Sequence, residues 1–233
     1  MFRFALTLFS CVALLAVAAL APSLAAAAEE INVESAAVSF REVDGKRIVT
    51  LLRFRATSRE FSLSSPYGVY DESTEMMTAS AIEGERAVLV KSGENAFEVS
   101  AADAIAIHFE NETLSATGDV IFRSDELDAW ADELYVDRRS ALEERIMGLV
   151  ARIRGQETAE LVQAFLAKIA PDDRLILLSG SVRLEREDST MESSWMLVNE
   201  ADQNEMISVA EPERTVRLTI VTREDEAGAE PQQ

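Results

Sequence analysis

The stretch that decides the fold reads Thr117-Gly118-Asp119-Val120-Ile121-Phe122, and a similar stretch, Ser179-Gly180-Ser181-Val182-Arg183-Leu184, follows 62 residues later. Midway between them stands Met147-Gly148-Leu149-Val150-Ala151-Arg152, so the three glycines are 30 and 32 residues apart. Eleven residues after each glycine a second stretch recurs, over residues 129–137, 159–167 and 191–199. Self-similarity at a fixed period indicates repeated structural units that share one core.

Each repeat unit has the pattern of two short β-strands. Val120 and Phe122 stand two residues apart, as do Val182 and Leu184, and such alternation with β-branched residues is typical of half-buried strands. A glycine before each strand indicates a bulge or a close backbone approach. The unit is therefore two short strands in about 30 residues, repeated about four times along the chain.

A single two-stranded unit cannot bury its apolar face alone, so successive units must stack on one another. The sequence therefore predicts an all-β fold: an elongated antiparallel sheet folded on itself as a jellyroll or half-open barrel, apolar inside and acidic outside. Such a sheet ends in open edges that invite pairing with a partner strand. An interior lined by Val, Ile, Leu, Met and Ala suits flexible acyl chains better than aromatic rings.

Residues 140–169 fit two interpretations. Strands are favoured because Gly148 and the stretch that starts at Ala159 are in register with the copies on both sides. The apolar residues of this segment also recur at helical spacing, and Ser140 with Glu143 would form a capping box. A short helical insertion over residues 140–169 is therefore the alternative.

The two ends of the chain differ from the repeats. Residues 1–28 carry Arg3, a long apolar stretch and a run of small residues ending at Ala28, as in a secretory signal peptide cleaved there. The alternative is a membrane anchor retained over residues 4–24, because about 18 apolar residues can just span a bilayer. Both interpretations place the folded part outside the cytoplasm. The acidic segment 223–233, with Gly, Pro and Gln, is predicted to be a disordered tail.

Composition excludes several classes of function. The formal net charge of −20, from 42 acidic and 22 basic residues, argues against a nucleic-acid partner. One cysteine excludes a disulfide framework and a cysteine-based zinc site, and one histidine leaves little room for histidine catalysis. No Asp or Glu pair is singled out by its spacing. We therefore expect no catalytic residue, no metal site and no cofactor.

The repeat stretches resemble a known family. Leu114-Ser115-Ala116-Thr117-Gly118-Asp119-Val120 with Ala131-Asp132-x-x-Tyr135-Val136-Asp137 resembles the OstA-like domain of periplasmic lipopolysaccharide-transport proteins, and so does 177–184 with Met196-Leu197-Val198. This half, residues 114–222, is most similar to the LptA type of the family. The earlier half, residues 31–115, is more similar to the membrane-anchored LptC type. The resemblance gives one OstA-like domain over residues 31–222.

The resemblance implies a "taco"-shaped β-jellyroll that holds the acyl chains of lipid A in its groove. It implies edge-to-edge pairing with other OstA-like transport proteins, from the inner-membrane complex to the outer-membrane translocon, or with further copies of the chain. It also implies a periplasmic location and no catalysis. The groove residues that repeat position and alternation predict are Ile105, Ile107, Val120, Phe122, Leu134, Val136, Val182, Leu184 and Val198.

Two other functions fit the same pattern. A β-rich envelope scaffold would use the open edges to bind other proteins and would carry no lipid. An inner-membrane-anchored component of the LptC type would bind lipid but keep residues 4–24. A test for co-purifying lipid separates the scaffold from the other two.

Overall fold

A computed structural model describes residues 31–93, 95–108, 113–152, 156–186, 189–211 and 215–220. The predicted signal peptide or anchor (1–28) and the predicted acidic tail (223–233) lie outside the described residues.

The described part of the chain is mostly β-strand. Its strands are β1 (Asn32–Val43), β2 (Lys46–Thr57), β3 (Phe61–Asp71), β4 (Met76–Ser80), β5 (Ala87–Lys91), β6 (Phe97–Ala101), β7 (Ala104–His108), β8 (Thr113–Ser124), β9 (Asp128–Arg138), β10 (Arg174–Glu185), β11 (Ser189–Asn199), β12 (Met206–Val209) and β13 (Arg217–Ile220). Between β9 and β10 lie two helices, α1 (Arg139–Val150) and α2 (Gln156–Leu166). The prediction of an all-β fold is confirmed.

All described strands belong to one antiparallel sheet whose order is β1-β2-β3-β4-β7-β8-β9-β10-β11-β12. Strands β5 and β6 pair with each other and also link β3 to β8, because β5 pairs with β3 and β6 pairs with β8. Strand β13 pairs with β11. Residues 61–64 of β3 pair with β5, whereas residues 67–71 pair with β4. In the same way residues 113–117 of β8 pair with β7, and residues 121–124 pair with β6. The sheet is therefore divided into two halves that share the long strands.

The two halves lie against each other across one buried core. We call the half that contains β5 and β6 the front layer and the half that contains β4 and β7 the back layer. Leu89 and Val99 of the front layer lie in the same buried cluster as Met77 and Ile105 of the back layer. The long strands run through both layers, so each of them must bend near its middle. The result is a sheet folded on itself, as the sequence predicts.

Two of the recurring glycines lie at bends, each against an aspartate. Gly118 and Gly180 have φ of +80° and +82°, and both lie where the register of the ladder shifts. A Cβ atom on Gly180 would stand 2.1 Å from the Asp132 carboxylate, and one on Gly118 would stand 2.4 Å from Cγ of Asp103. Each aspartate therefore lies directly over the glycine of the neighbouring strand. A glycine and an aspartate thus occur together at these two bends.

The preference for strands over residues 140–169 is wrong, and the helical alternative is correct. Leu142, Ile146 and Val150 fall on one face of α1 and are buried, which only a helix allows at this spacing. The predicted capping box is not formed: α1 begins at Arg139, so Ser140 lies within the helix, and no side chain caps the N-terminus. The described residues contain no helix long and apolar enough to cross a membrane.

The helices cover the outer surface of the sheet over β9 to β11. A second buried cluster joins residues of α1 and α2 to Leu175, Leu177 and Trp195 on the sheet. On the other face of the same strands, Ile176 and Leu178 belong to the main core. These strands are therefore covered on both faces. A strand covered on both faces needs no polar side, which explains why the residues from Leu175 to Leu178 are all apolar.

The turn after β3 supplies a pH-dependent prediction. The backbone N–H and the hydroxyl of Ser73 donate hydrogen bonds of 2.8 and 2.6 Å to Oδ1 of Asp71, and they hold the pKa of Asp71 below its usual value. We expect Ser73→Ala to raise this pKa towards its usual value, measured by carboxyl NMR titration. The pKa of Asp71 is lower in the folded state than in the unfolded state. The hydrogen bonds therefore stabilise the fold at pH values above the unfolded-state pKa, and this stabilisation is lost as the pH falls through the folded-state pKa. An unchanged pKa in the variant would contradict this assignment.

Candidate functional site

All nine predicted groove residues lie in one buried cluster between the two layers. The back layer contributes Ile105, Ile107, Leu134, Val136 and Val198, and the front layer contributes Val120, Phe122, Val182 and Leu184. The Phe122 ring packs against Phe97 with ring centroids 5.3 Å apart. The structure thus brings these side chains together on the inner face of the sheet. That they bind lipid stays a prediction.

The inner face extends well beyond the nine predicted residues. Its further buried members come mostly from the first half of the chain and include Val49, Leu51, Phe54, Leu63, Met77, Leu89, Phe97 and Val99. Most of these residues stand outside the recurring glycine stretches, which is why repeat position did not select them. Simple alternation, as in Val49-x-Leu51 of β2, was the signal that could have found them.

Side chains of the protein itself fill the middle of this interior. Leu63, Val99, Ile105 and Leu134 are wholly inaccessible to solvent, although they come from four different strands. An acyl chain could therefore lie between the layers only if the layers moved apart or side chains were displaced. The closed arrangement is the state that the structure describes.

At the β1 end of the sheet the inner face is uncovered. Val38 and Phe40 stand directly opposite Leu51 and Val49, and directly opposed residues of an antiparallel pair share one face of the sheet. Leu51 and Val49 are buried in the core, but Val38 is 44% exposed and Phe40 is 57% exposed. The apolar inner face therefore continues past the core and reaches solvent at β1.

At the other end of the sheet the same face also reaches solvent. Leu218 of β13 stands opposite Met191 of β11, which in turn stands opposite the buried Leu184 of β10. Met191 packs against the core, whereas Leu218 is 52% exposed. One apolar surface thus runs through the molecule and is uncovered at both terminal strands.

A separate cleft lies on the outer surface, between α1 and the bend of β10. It has a volume of about 610 Å³, and its polar lining includes Glu133, Ser179 and Arg152. The Arg145 guanidinium lies 3.7 Å from the centre of the Tyr135 ring, and burial raises the pKa of Tyr135. This cleft is on the opposite side of the sheet from the apolar interior.

The acidic residues of α1 and β10 and the histidine of β7 lie on separate elements. Glu143 and Glu144 are exposed on α1, and Glu185 pairs with Arg183 on the same strand. His108 is half-buried at the end of β7, in register with Met76 and Thr113. Within the described ranges no group of three or more His, Cys, Asp or Glu side chains could hold a metal ion.

Comparisons with known proteins were made on the whole chain. No family model and no curated protein sequence matches it. Among solved structures, it is similar to LptH, the LptA-homologous periplasmic component of the lipopolysaccharide transport device from Pseudomonas aeruginosa. The two chains are 10% identical with a TM-score of 0.29, and the match covers 83% of this chain and 96% of LptH. The fold itself, an antiparallel sheet folded over an apolar interior with a helical insertion, is established by the strand pairings described above.

Proposed function

We propose that this protein is a periplasmic lipopolysaccharide-binding transport protein that carries lipid A acyl chains on its apolar inner face and catalyses no reaction. One observation carries the proposal: the inner face is continuous through the core and uncovered at both terminal strands, at Phe40 and at Leu218. A protein that only needed a core would gain nothing from exposing the same face at both ends.

The chemistry of the inner face suits acyl chains. Its lining is almost entirely aliphatic, and each CH₂ group removed from water contributes about 0.8 kcal/mol. Several partly buried chains would therefore bind without any specific polar contact. The net charge of −20 would keep the phosphorylated headgroup in solvent, so that the chains alone enter.

Edge-to-edge pairing would extend the surface from one molecule to the next. β1 stands at the end of the strand order, where one side of its backbone is open to a partner strand. Pairing of β1 with the last strand of another OstA-like transport protein, or of a second copy, would join their inner faces. Partners of this kind in the inner-membrane complex and at the outer-membrane translocon would complete a bridge.

A second candidate function, a protein scaffold without lipid, is favoured by one observation. Leu52 of β2 is 45% exposed near the same edge, so this end of the sheet offers apolar side chains to a protein partner as well as an open strand. The anchored LptC-type role differs from the first proposal only in retaining residues 4–24.

The deciding experiment is purification of the full-length precursor from separate periplasmic and membrane fractions of a Gram-negative host. Mass spectrometry would then identify the bound lipid and the first residue of the mature chain. Lipid A on a soluble chain that begins near Glu29 would support the periplasmic carrier. Lipid A on an uncleaved membrane species would support the anchored role, and lipid in neither fraction would support the scaffold.

Site-specific crosslinking gives a sharper prediction. We expect a photoreactive phenylalanine analogue at position 40 to capture lipid A in cells, because this exposed ring lies on the inner face. The matched control is the same analogue at Ser39, whose side chain points to the other face of β1. Capture should be at least several-fold stronger at position 40. Equal capture at both positions, or protein adducts alone, would contradict lipid binding on this face.

A further inference from the structure

The loop between β11 and β12, residues 200–205, joins the open rims of the two layers. Its first residue is fixed to the back layer: the backbone N–H of Glu200 donates to the carbonyl of Arg174, and Oε2 of Glu200 accepts a hydrogen bond of 2.6 Å from Nε of Arg174. Arg174 begins β10, in the part of that strand that pairs within the back layer. The loop therefore starts from the rim of the back layer.

The other oxygen of the same carboxylate reaches the front layer. Nζ of Lys91, the last residue of β5, donates a hydrogen bond of 2.5 Å to Oε1 of Glu200. The Glu200 side chain is only 5% exposed, whereas those of Lys91 and Arg174 are 28% exposed. A single buried carboxylate thus holds one cation from each layer.

Further along the loop, more contacts are made to the front layer. Gln203 is buried, and its Oε1 accepts a hydrogen bond of 2.6 Å from the hydroxyl of Ser124, the last residue of β8. Its carbonyl accepts a hydrogen bond of 2.6 Å from Nη2 of Arg186, just beyond the end of β10. Nδ2 of Asn204 donates to Glu126 at 3.3 Å. The loop is therefore attached to both rims by side-chain contacts.

The position of this loop matters because of how the long strands bend. β10 begins in the back layer at Arg174 and ends in the front layer at Glu185, and the loop contacts residues at both of its ends. Both strand ends lie on the side of the molecule away from the bend, where the layers would part. The interior is filled, so acyl chains could enter along this side only after the rims separate.

We propose that residues 200–205 form a latch, centred on Glu200, that holds the front and back layers together and whose release admits acyl chains to the interior. The ligand part of this statement rests on the proposed function. The latch itself is a property of the protein alone, and it can be tested in the absence of any lipid.

The test compares two latch variants with a matched control in the purified full chain. Lys91→Gln removes the front-layer cation that binds Glu200 and leaves the Arg174 pair in place, and Glu200→Gln removes the charge that both cations share. The control Arg123→Gln also removes a cation from the front layer, but its half-exposed ion pair with Glu98 lies within that layer. Circular dichroism establishes whether each variant is folded. If Glu200→Gln does not fold, Lys91→Gln alone still tests the latch.

The first measurement is hydrogen exchange by mass spectrometry without lipid. We expect the backbone amides of residues 200–205 and of β5 to exchange about tenfold faster in the latch variants. Loss of one hydrogen bond to a charged group changes the equilibrium between the closed and open states by about this factor. The control should match the wild type. Exchange that is unchanged in both latch variants overturns the latch, whatever the protein binds.

The second measurement is the rate at which the protein takes up cis-parinaric acid, a fluorescent fatty acid. Uptake that is faster by a similar factor in the latch variants supports the latch as the entry control. Faster exchange with unchanged uptake overturns that role. Faster exchange with no uptake by any form, and no lipid A in the purified protein, overturns the proposed lipid function and leaves the latch as a closure of the fold.

Discussion

Substitution of Gly180 by alanine is expected to lower the free energy of unfolding by about 3 kcal/mol. Two effects add at this position. A side chain at a φ of +82° adds backbone strain, typically about 1 to 3 kcal/mol. The new Cβ atom would also stand 2.1 Å from the carboxylate and 2.5 Å from Cβ of Asp132, and such overpacking typically costs about 1 to 3 kcal/mol.

The contact with Asp132 separates these two effects experimentally. Cβ of Asp132 cannot swing away as a carboxylate can, so the neighbouring backbone of β9 must shift. Gly45→Ala is the matched control, because Gly45 has a similar φ of +76° but nothing within 4 Å of the added atom. Urea unfolding should show a much smaller loss in Gly45→Ala, and the double variant Gly180→Ala with Asp132→Gly should recover part of the loss. Equal losses at Gly45 and Gly180 would mean that strain alone accounts for the glycine.

Truncation of Phe122 to alanine is expected to cost about 4 kcal/mol, within the usual range for a buried aromatic residue. Phe122 is 1% exposed, lies in the main core and packs on the Phe97 ring at 5.3 Å. Its removal would leave a cavity in the front layer, where the surrounding strands are held by their ladder hydrogen bonds and cannot collapse fully.

Chemical denaturation of the purified chain measures this loss. The control is Phe40→Ala, which truncates an exposed ring on the same face and should change stability by less than about 0.5 kcal/mol. A loss below about 1 kcal/mol at Phe122 would contradict the tightly filled interior. It would indicate instead that the core rearranges readily around missing or added groups.

The bends of the sheet could be predicted from the sequence because each depends on residues with distinctive chemistry. A positive φ selects glycine at positions 118 and 180, and close approach fixes an aspartate beside each. These glycines recur along the chain at the same interval as the strands that contain them. Alternation then placed the candidate groove residues on one face, because the side-chain period of a strand is two.

The helical insertion was mispredicted because a register argument outweighed periodicity. Gly148 falls in the glycine series, yet it lies within α1, is exposed and has nothing within 4 Å of an added Cβ atom. It therefore has none of the constraints that act on Gly180. The helical spacing of Leu142, Ile146 and Val150 correctly indicated the apolar face of a helix, which packs on the outer surface of the sheet.

The latch could not be predicted from the sequence at all. Lys91 and Glu200 are 109 residues apart, and each is one charged residue among many in an acidic chain. Their pairing follows from the bend of the strands, which brings the end of β5 next to the loop after β11. Contacts that depend on tertiary folding, and not on local pattern, leave no periodic signal.

The helical insertion has a consequence for the order of folding. Arg138 and Arg174 are paired neighbours, yet the whole of residues 139–173 lies between them. Closing a loop of this length is less favourable than closing a short turn, by about 0.6 kcal/mol for each doubling. Strands β8 and β9, joined by a short turn, should therefore associate before β9 and β10. The last strands would then dock onto a preformed sheet. Early formation of the two helices would shorten the distance between the ends of residues 139–173 and so favour the pairing of β9 with β10.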